Sequence, residues 1–218
     1  MNRRYDPVKR CLDVVLATIA LILTAPVLAG AALLVWLRLG RPVLFVQERS
    51  GRGQRPFRLY KLRTMTDERR PDGTLRSDRE RLDPLGLALR RLSIDELPQL
   101  INVLRGDMSL IGPRPLLPRY DPWYTDEERL RFTVRPGITG LAQVSGRNNL
   151  DWTQRLALDA RYACEYSFAL DVRIAWRTLV RVVAGSGVAT DPTATMADLD
   201  VARAGWATNV DAARGAAR

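Results

Sequence analysis

The chain reads as an α+β protein, mostly helical with a small β-hairpin, carrying an N-terminal re-entrant membrane helix and interfacial amphipathic helices. Three observations predict this. Residues 14–37 contain no charge, and a run of that length can cross the hydrocarbon core of a bilayer. Residues 43–47 and 57–62 are short apolar segments around a turn-rich, basic stretch, which is a hairpin pattern. Elsewhere apolar residues recur at helical spacing, as Leu97, Leu100, Ile101 and Leu104 do.

By length alone the apolar run is a straight transmembrane helix. Two features favour a bent one. Pro26 stands near its middle between Thr24 and Gly30, where a bend is easily placed. Both flanks are basic, with Arg3, Arg4, Lys9 and Arg10 before the run and Arg38 and Arg41 after it. Basic flanks stay on the cytoplasmic side, and only a helix that enters and leaves on one face keeps both there. A cleaved signal peptide is not expected, because the run is long and has no clear cleavage site.

After the hairpin, residues 66–83 are polar and turn-rich and read as a surface loop. Pro84 suits the first position of a short helix, residues 85–91. A further helix follows residues 93–98 and stops at Gly106. Residues 111–115 form a stiff turn with Arg114 held between Pro113 and Pro115, and residues 135–148 hold two glycine-rich polar loops. Residues 151–184 form a long helical region interrupted near Ser167. There Arg173, Arg177 and Arg181 make a basic stripe beside Trp176, Leu179 and Val180, the pattern of a helix lying on an anionic bilayer or of an ordinary amphipathic core helix. The boundaries expected are a membrane helix with its flanks at 1–41, a cytoplasmic catalytic domain at 42–187 and a loose appendage at 188–218.

Composition narrows the chemistry. The chain has 34 basic and 24 acidic residues, a net charge of +10, and no histidine. Excess positive charge implies an anionic partner: nucleic acid, anionic lipid or a phosphorylated substrate. Without histidine, acid, base, nucleophile and metal-ligand roles fall to Asp, Glu, Lys, Arg, Ser or Tyr. Cys11 and Cys164 are too few for a disulfide framework or a zinc site, which points to a reducing compartment. Asp95 and Glu96 are then the chemically suggestive pair, since adjacent carboxylates among arginines suit a divalent cation and a phosphate substrate. Ser93-x-x-Glu96 also fits a capping box, which by itself explains the spacing, and the two readings are compatible. Lys61 and Arg63, at alternate strand positions, are placed to face one phosphate together, whereas the other basic residues of the hairpin, Arg49, Arg52, Arg55 and Arg58, read mainly as a solvated face.

These stretches together resemble the monotopic phosphoglycosyl transferases of the bacterial sugar transferase family, in its small minimal-domain form. The resemblance covers about residues 9–187. It is carried by the apolar segment with Pro26, Tyr60-Lys61-Leu62-Arg63-Thr64-Met65, Ser93 through Leu100, and Asn102-Val103-Leu104-Arg105-Gly106-Asp107-Met108-Ser109. Gly112-Pro113-Arg114-Pro115, Arg135 through Gly140 and Gln143 through Asn148 complete it, all in order. Two positions depart from the family pattern: Ala25-Pro26 stands where many relatives have Ser-Pro, and Leu141 where they often have Trp.

The resemblance implies a transfer of phosphosugar from a UDP-sugar to a polyprenol phosphate, usually undecaprenyl phosphate, with release of UMP. It makes Asp95 the nucleophile that carries the phosphosugar, and it makes Asp95 and Glu96 the carboxylates that hold Mg²⁺. Lys61, Arg90, Arg114 and Arg147 become the phosphate-binding residues. It also implies a monotopic protein among the phospholipids of the cytoplasmic face of the bacterial inner membrane, acting early in polysaccharide or glycoconjugate assembly. An ionised carboxylate attacks without a general base, so the missing histidine is no handicap. Two other readings are a conventional glycosyltransferase that releases UDP and a basic membrane-associated binding module. The module accounts for the charge but not for the paired carboxylates, and the chain carries no nucleic-acid motif.

Overall fold

A computed structural model of the chain describes residues 5–146, 150–183 and 198–204. Helix α1 covers Tyr5–Leu39, 35 residues, and it is long and apolar enough to cross a membrane. It continues through Pro26, whose ring removes one backbone donor, and Thr24 Oγ1 donates to the Ala20 carbonyl at 2.7 Å one turn earlier. Tyr5, Lys9, Asp13 and Ala17 are buried at four-residue steps, and Ala31 and Val35 continue the stripe. The other face leaves Ile19, Ile22, Leu23, Val27 and Leu37 exposed. Both halves of α1 meet the rest of the protein. Ala17, Ala20 and Leu21 pack with Leu100, Val103 and Met108, while Leu28, Ala31 and Val35 pack with Leu62 and Leu89.

The expected hairpin is present and slightly longer than read. Strand β1, Leu44–Ser50, pairs antiparallel with β2, Pro56–Leu62, in a register from Leu44 opposite Leu62 to Ser50 opposite Pro56. The turn between them needs Gly53 at φ +65°. The stretch read as surface loop is largely exposed but contains helix α2, Asp78–Arg81, closed by a Ser77/Glu80 capping box. Helix α3 follows at Pro84–Arg91, then a 3₁₀ turn at Ile94–Glu96 and α4 at Gln99–Arg105. Gly106, at φ 92°, ends α4 by donating its N–H to the Asn102 and Val103 carbonyls.

A second sheet was not anticipated. β3, Ser109–Ile111, runs parallel to β4, Gly137–Thr139, and so joins the stiff turn to the first glycine-rich loop. A Cβ on Gly137 would stand 2.0 Å from the Gly112 nitrogen, so glycine is required where these backbones meet. Between the two strands lie a 3₁₀ stretch Pro118–Trp123, helix α5 Asp126–Arg129 and a second 3₁₀ turn Leu130–Thr133. Helices α6, Leu141–Ser145, α7, Trp152–Glu165, and α8, Phe168–Val183, complete the body. The break between α7 and α8 falls at Tyr166 and Ser167, as expected.

Asp171 ties α8 to α1, accepting from Tyr5 Oη at 2.8 Å, Lys9 Nζ at 2.6 Å and Tyr162 Oη at 2.7 Å. Phe168, Val172, Trp176 and Leu179 of α8 remain exposed, with Arg173 and Arg177 among them. Of the stretch expected to be a loose appendage, residues 198–204 are described, and they are docked. Leu199 is fully buried against Tyr120, Tyr124 and Leu156, and Arg203 makes a two-pronged ion pair with Glu128 at 2.7 and 2.6 Å.

Candidate active site

The site is assembled where β2, α3, the 3₁₀ turn and the Arg114 loop converge. Asn102 of α4 is fully buried and clasps β2, accepting from the Tyr60 N–H at 3.1 Å and donating to the Arg58 carbonyl at 2.7 Å. That clasp fixes Lys61 on the next residue of the strand. Helix α3 is capped by Asp83, which accepts from the Leu85 N–H at 2.8 Å, with Pro84 in the first turn. Gly86 lets α3 lie directly on the backbone after β2, since a Cβ there would meet the Thr64 carbonyl oxygen at 1.9 Å. Arg90, one turn on, accordingly reaches Thr64 Oγ1 at 3.0 Å.

Ser93 does not act as the capping residue its spacing suggested. It takes a left-handed conformation, φ 56°, and its side chain makes no cap hydrogen bond. A non-glycine residue in that region carries strain of about 1–3 kcal/mol, and here it turns the chain sharply out of α3 so that Asp95 and Glu96 follow at once. Arg114 is held from the far side. Its carbonyl accepts from Arg131 Nη2 at 2.6 Å, and Arg131 is in turn paired with the buried Asp159 at 2.8 Å.

The two carboxylates have opposite surroundings. Glu96 Oε1 accepts from Lys61 Nζ at 2.7 Å and from Arg114 Nη2 at 2.9 Å. Burial alone would raise its pKa, but the charges of Arg114 and Lys61 outweigh that and hold it far below the usual carboxylate range. Asp95 is 6% exposed, and its carboxylate accepts no hydrogen bond from any described residue. Burial pushes its pKa up, with Glu96 adding to the effect against the opposing charges of Lys61, Arg90 and Arg114. Glu96 is therefore a fixed counter-charge, and Asp95 keeps its lone pairs free.

A cavity of about 1010 Å³ opens over the pair, lined by Lys61, Arg90, Arg114 and Arg49 and, along β1, by Leu44, Phe45 and Val46. Five of the six residues singled out in the sequence thus share one cavity, Asp95, Glu96, Lys61, Arg90 and Arg114, while Arg147 lies outside the described residues. Arg63 also reaches the cavity wall, but it does not face a phosphate beside Lys61. Its guanidinium is spent on the Leu39 and Arg41 carbonyls, the Met65 carbonyl and Asp67, which fastens the end of α1. Arg49, read as solvated, instead lines the same cavity as Arg114, whose charge acts on it. The hairpin register could have revealed this, because Arg49, Gln47 and Phe45 fall on the strand face that Phe45 shares with Lys61.

No group of three or more metal-ligating side chains occurs among the described residues. The residues present fit Mg²⁺ all the same. That ion is ordinarily held by one or two carboxylates, with substrate phosphates and water completing its shell, and Asp95 has uncommitted oxygens beside Glu96 at the cavity floor.

Comparisons with known proteins give the chain a family. The bacterial sugar transferase family profile matches residues 4–185. The uncharacterized sugar transferase EpsL of Bacillus subtilis is 47% identical over 180 residues, covering 83% of this chain and 89% of that protein. The UDP-glucose:undecaprenyl-phosphate glucose-1-phosphate transferase of Caulobacter vibrioides is 46% identical over 184 residues, 78% of this chain and 68% of its own length. The UDP-N-acetylgalactosamine-undecaprenyl-phosphate N-acetylgalactosaminephosphotransferase of Aeromonas hydrophila is 38% identical over 195 residues, 84% of this chain but 45% of its own length. The chain belongs to the bacterial sugar transferase family.

Proposed function

We propose that this member of the bacterial sugar transferase family moves a sugar phosphate from a UDP-sugar to undecaprenyl phosphate, releasing UMP, in an early membrane step of polysaccharide assembly. The observation that carries the reading is Asp95, a buried carboxylate that receives no hydrogen bond from any described residue, in the lining of a cationic cavity. An Asp95 oxygen attacks the sugar-bearing phosphorus, the bond from that phosphorus to the bridging oxygen breaks, and UMP leaves with the electron pair. An oxygen of undecaprenyl phosphate then attacks the same phosphorus, freeing the Asp95 carboxylate and forming a lipid diphosphate sugar. Lys61, Arg90 and Arg114 offset the repulsion between carboxylate and diphosphate. Mg²⁺, held by Asp95 and Glu96, would supply further neutralisation of the diphosphate.

The two halves of α1 support a re-entrant placement at the cytoplasmic face. Each half packs on the same globular body, which supports having both helix ends on one face, the arrangement that the basic flanks favour. The exposed apolar faces of α1 and α8 would then meet the phospholipids.

The test is a panel of UDP-sugars with and without undecaprenyl phosphate, followed by nucleotide identification and intact-protein mass. The expected result is UMP, with a chain heavier by one sugar phosphate when acceptor is left out. Release of UDP would establish the conventional glycosyltransferase instead, and no nucleotide release would leave a binding module.

A further inference from the structure

The cations around the cavity are not all neutralised. Lys61 and Arg114 share Glu96, and Arg63 and Arg81 share Asp67. Arg49 has no carboxylate within ion-pair distance among the described residues. Its Nη2 donates to Gln47 Oε1 at 2.6 Å, its Nη1 makes only a long 3.5 Å contact with the Pro115 carbonyl, and its Nε is buried without a partner. Burial, and then the neighbouring Arg114 charge, lower its pKa to about 10. Two guanidinium groups thus line one cavity, and among the described residues only Arg114 of the two has a carboxylate partner, Glu96. Such a placement is unfavourable until an anion arrives.

We propose that Arg49 is a further phosphate-binding residue, which together with Arg114 grips the nucleotide-side phosphate of the donor, the group that departs as UMP; this rests on the sugar-phosphate transfer reading above. Strand β1 orders the two substrates. Its first residues, Leu44, Phe45 and Val46, are all exposed and sit next to the end of α1, the side from which a lipid acceptor would come. Arg49 lies four residues beyond Phe45, about 13 Å along the strand, at the polar end. Arg114 links Arg49 to the dyad, because it bonds Glu96 while the carbonyl of the adjacent Pro115 takes the long contact from Arg49. A diphosphate lying from Asp95 toward Arg49 therefore puts its attacked phosphorus at the carboxylate and its leaving phosphate between two guanidiniums. Charge developing on the leaving oxygen is stabilised there.

The experiment uses the full chain in detergent, with UMP as the binding probe, and measures the two half-reactions separately. Arg49→Gln should weaken UMP binding and slow covalent loading from the UDP-sugar, each by about tenfold to a hundredfold. Transfer from the already loaded protein to undecaprenyl phosphate should slow as well, because in-line attack on the loaded phosphorus brings the acceptor phosphate to the place UMP left. Gln47→Glu serves as a second variant that leaves Arg49 in place but sets a carboxylate against it, and it should shift UMP affinity in the same direction. It also carries the test if Arg49→Gln does not fold. Unchanged UMP affinity in the folded variants, or covalent loading of Arg49→Gln at the wild-type rate, overturns the assignment of Arg49 alone. A wild type that releases no UMP refutes the transfer reaction itself, and the assignment with it.

Discussion

Asp171 and the Asp95–Glu96 pair are both carboxylates drawn out of water, and they are satisfied in opposite ways. Asp171 takes hydrogen bonds from two tyrosines and one lysine. Burial and the neighbouring Asp171 charge push the Tyr162 hydroxyl far above its ordinary pKa, so it stays a donor. The arrangement is closed, with one charge against one charge. Around the dyad, cations outnumber what Glu96 can neutralise, and Asp95 receives no hydrogen bond from any described residue. The surplus faces a cavity. A balanced, sealed cluster holds α1 to α8, whereas an unbalanced and open one holds a place for phosphate.

The sharpest way to break this comparison is Asp95→Asn. If Asp95 is kept bare because it attacks phosphorus, the amide should lose at least about 10⁴-fold in turnover, with an unchanged melting temperature because no hydrogen bond is lost. Substantial UMP release by a folded variant would make the bare carboxylate an accident of packing.

Glu96→Gln should cost less, about 10² to 10³-fold, because it removes a counter-charge and a metal ligand but not the attacking atom. The wild type should be silent in EDTA and recover with excess Mg²⁺, since hard oxygen ligands and a diphosphate call for that ion. Full activity in EDTA would remove the metal from the reading. On the scaffold side, Asp171→Ala leaves Lys9 buried without its partner and should destabilise by about 3–5 kcal/mol, visible in denaturant unfolding. The protein that remains folded should keep its activity, and a loss of turnover without a loss of stability would mean that Asp171 is not merely structural.

The sequence exposed the site better than the frame around it. Asp95, Glu96, Lys61 and Arg114 stood out because they lie in long ordered motifs, Arg90 followed only from the family resemblance, and α1, the hairpin, α3 and the α7–α8 break follow from periodicity, Pro84 and Ser167. The β3–β4 pair was not readable. Each strand has three residues, too few for an alternation, and their parallel pairing joins segments 28 positions apart. The role of Ser93 was misread because a capping-box spacing says nothing about a left-handed φ. Arg49 and Arg63 could not be told apart by type, since one ends in a cavity wall and the other on the carbonyls at the end of α1. The docking of residues 198–204 depends on a buried Arg203–Glu128 pair that no local pattern announces.

The smallest effect expected is a change in pH dependence, and its sign discriminates most finely. Asp95 must be ionised to attack, and its pKa is raised above the ordinary 3.8, so turnover should fall on the acid side as pH drops through that raised value, approaching tenfold per unit below it. Stability should change little over the same range. A raised Asp95 pKa adds stability as pH falls toward 3.8, because the native state then holds a proton that the unfolded state has not yet taken. A depressed Glu96 pKa works the other way. Its contribution is complete above the ordinary 4.5 and is lost only as pH falls below that toward its folded value. Glu96→Gln removes one of the charges that raise the Asp95 pKa and frees Lys61 and Arg114 to face Asp95. The residual activity of that variant should therefore have its acid limb at lower pH than the wild type. An acid limb that stays in place, measured on UMP release at saturating donor, would mean that the two carboxylates do not sense each other.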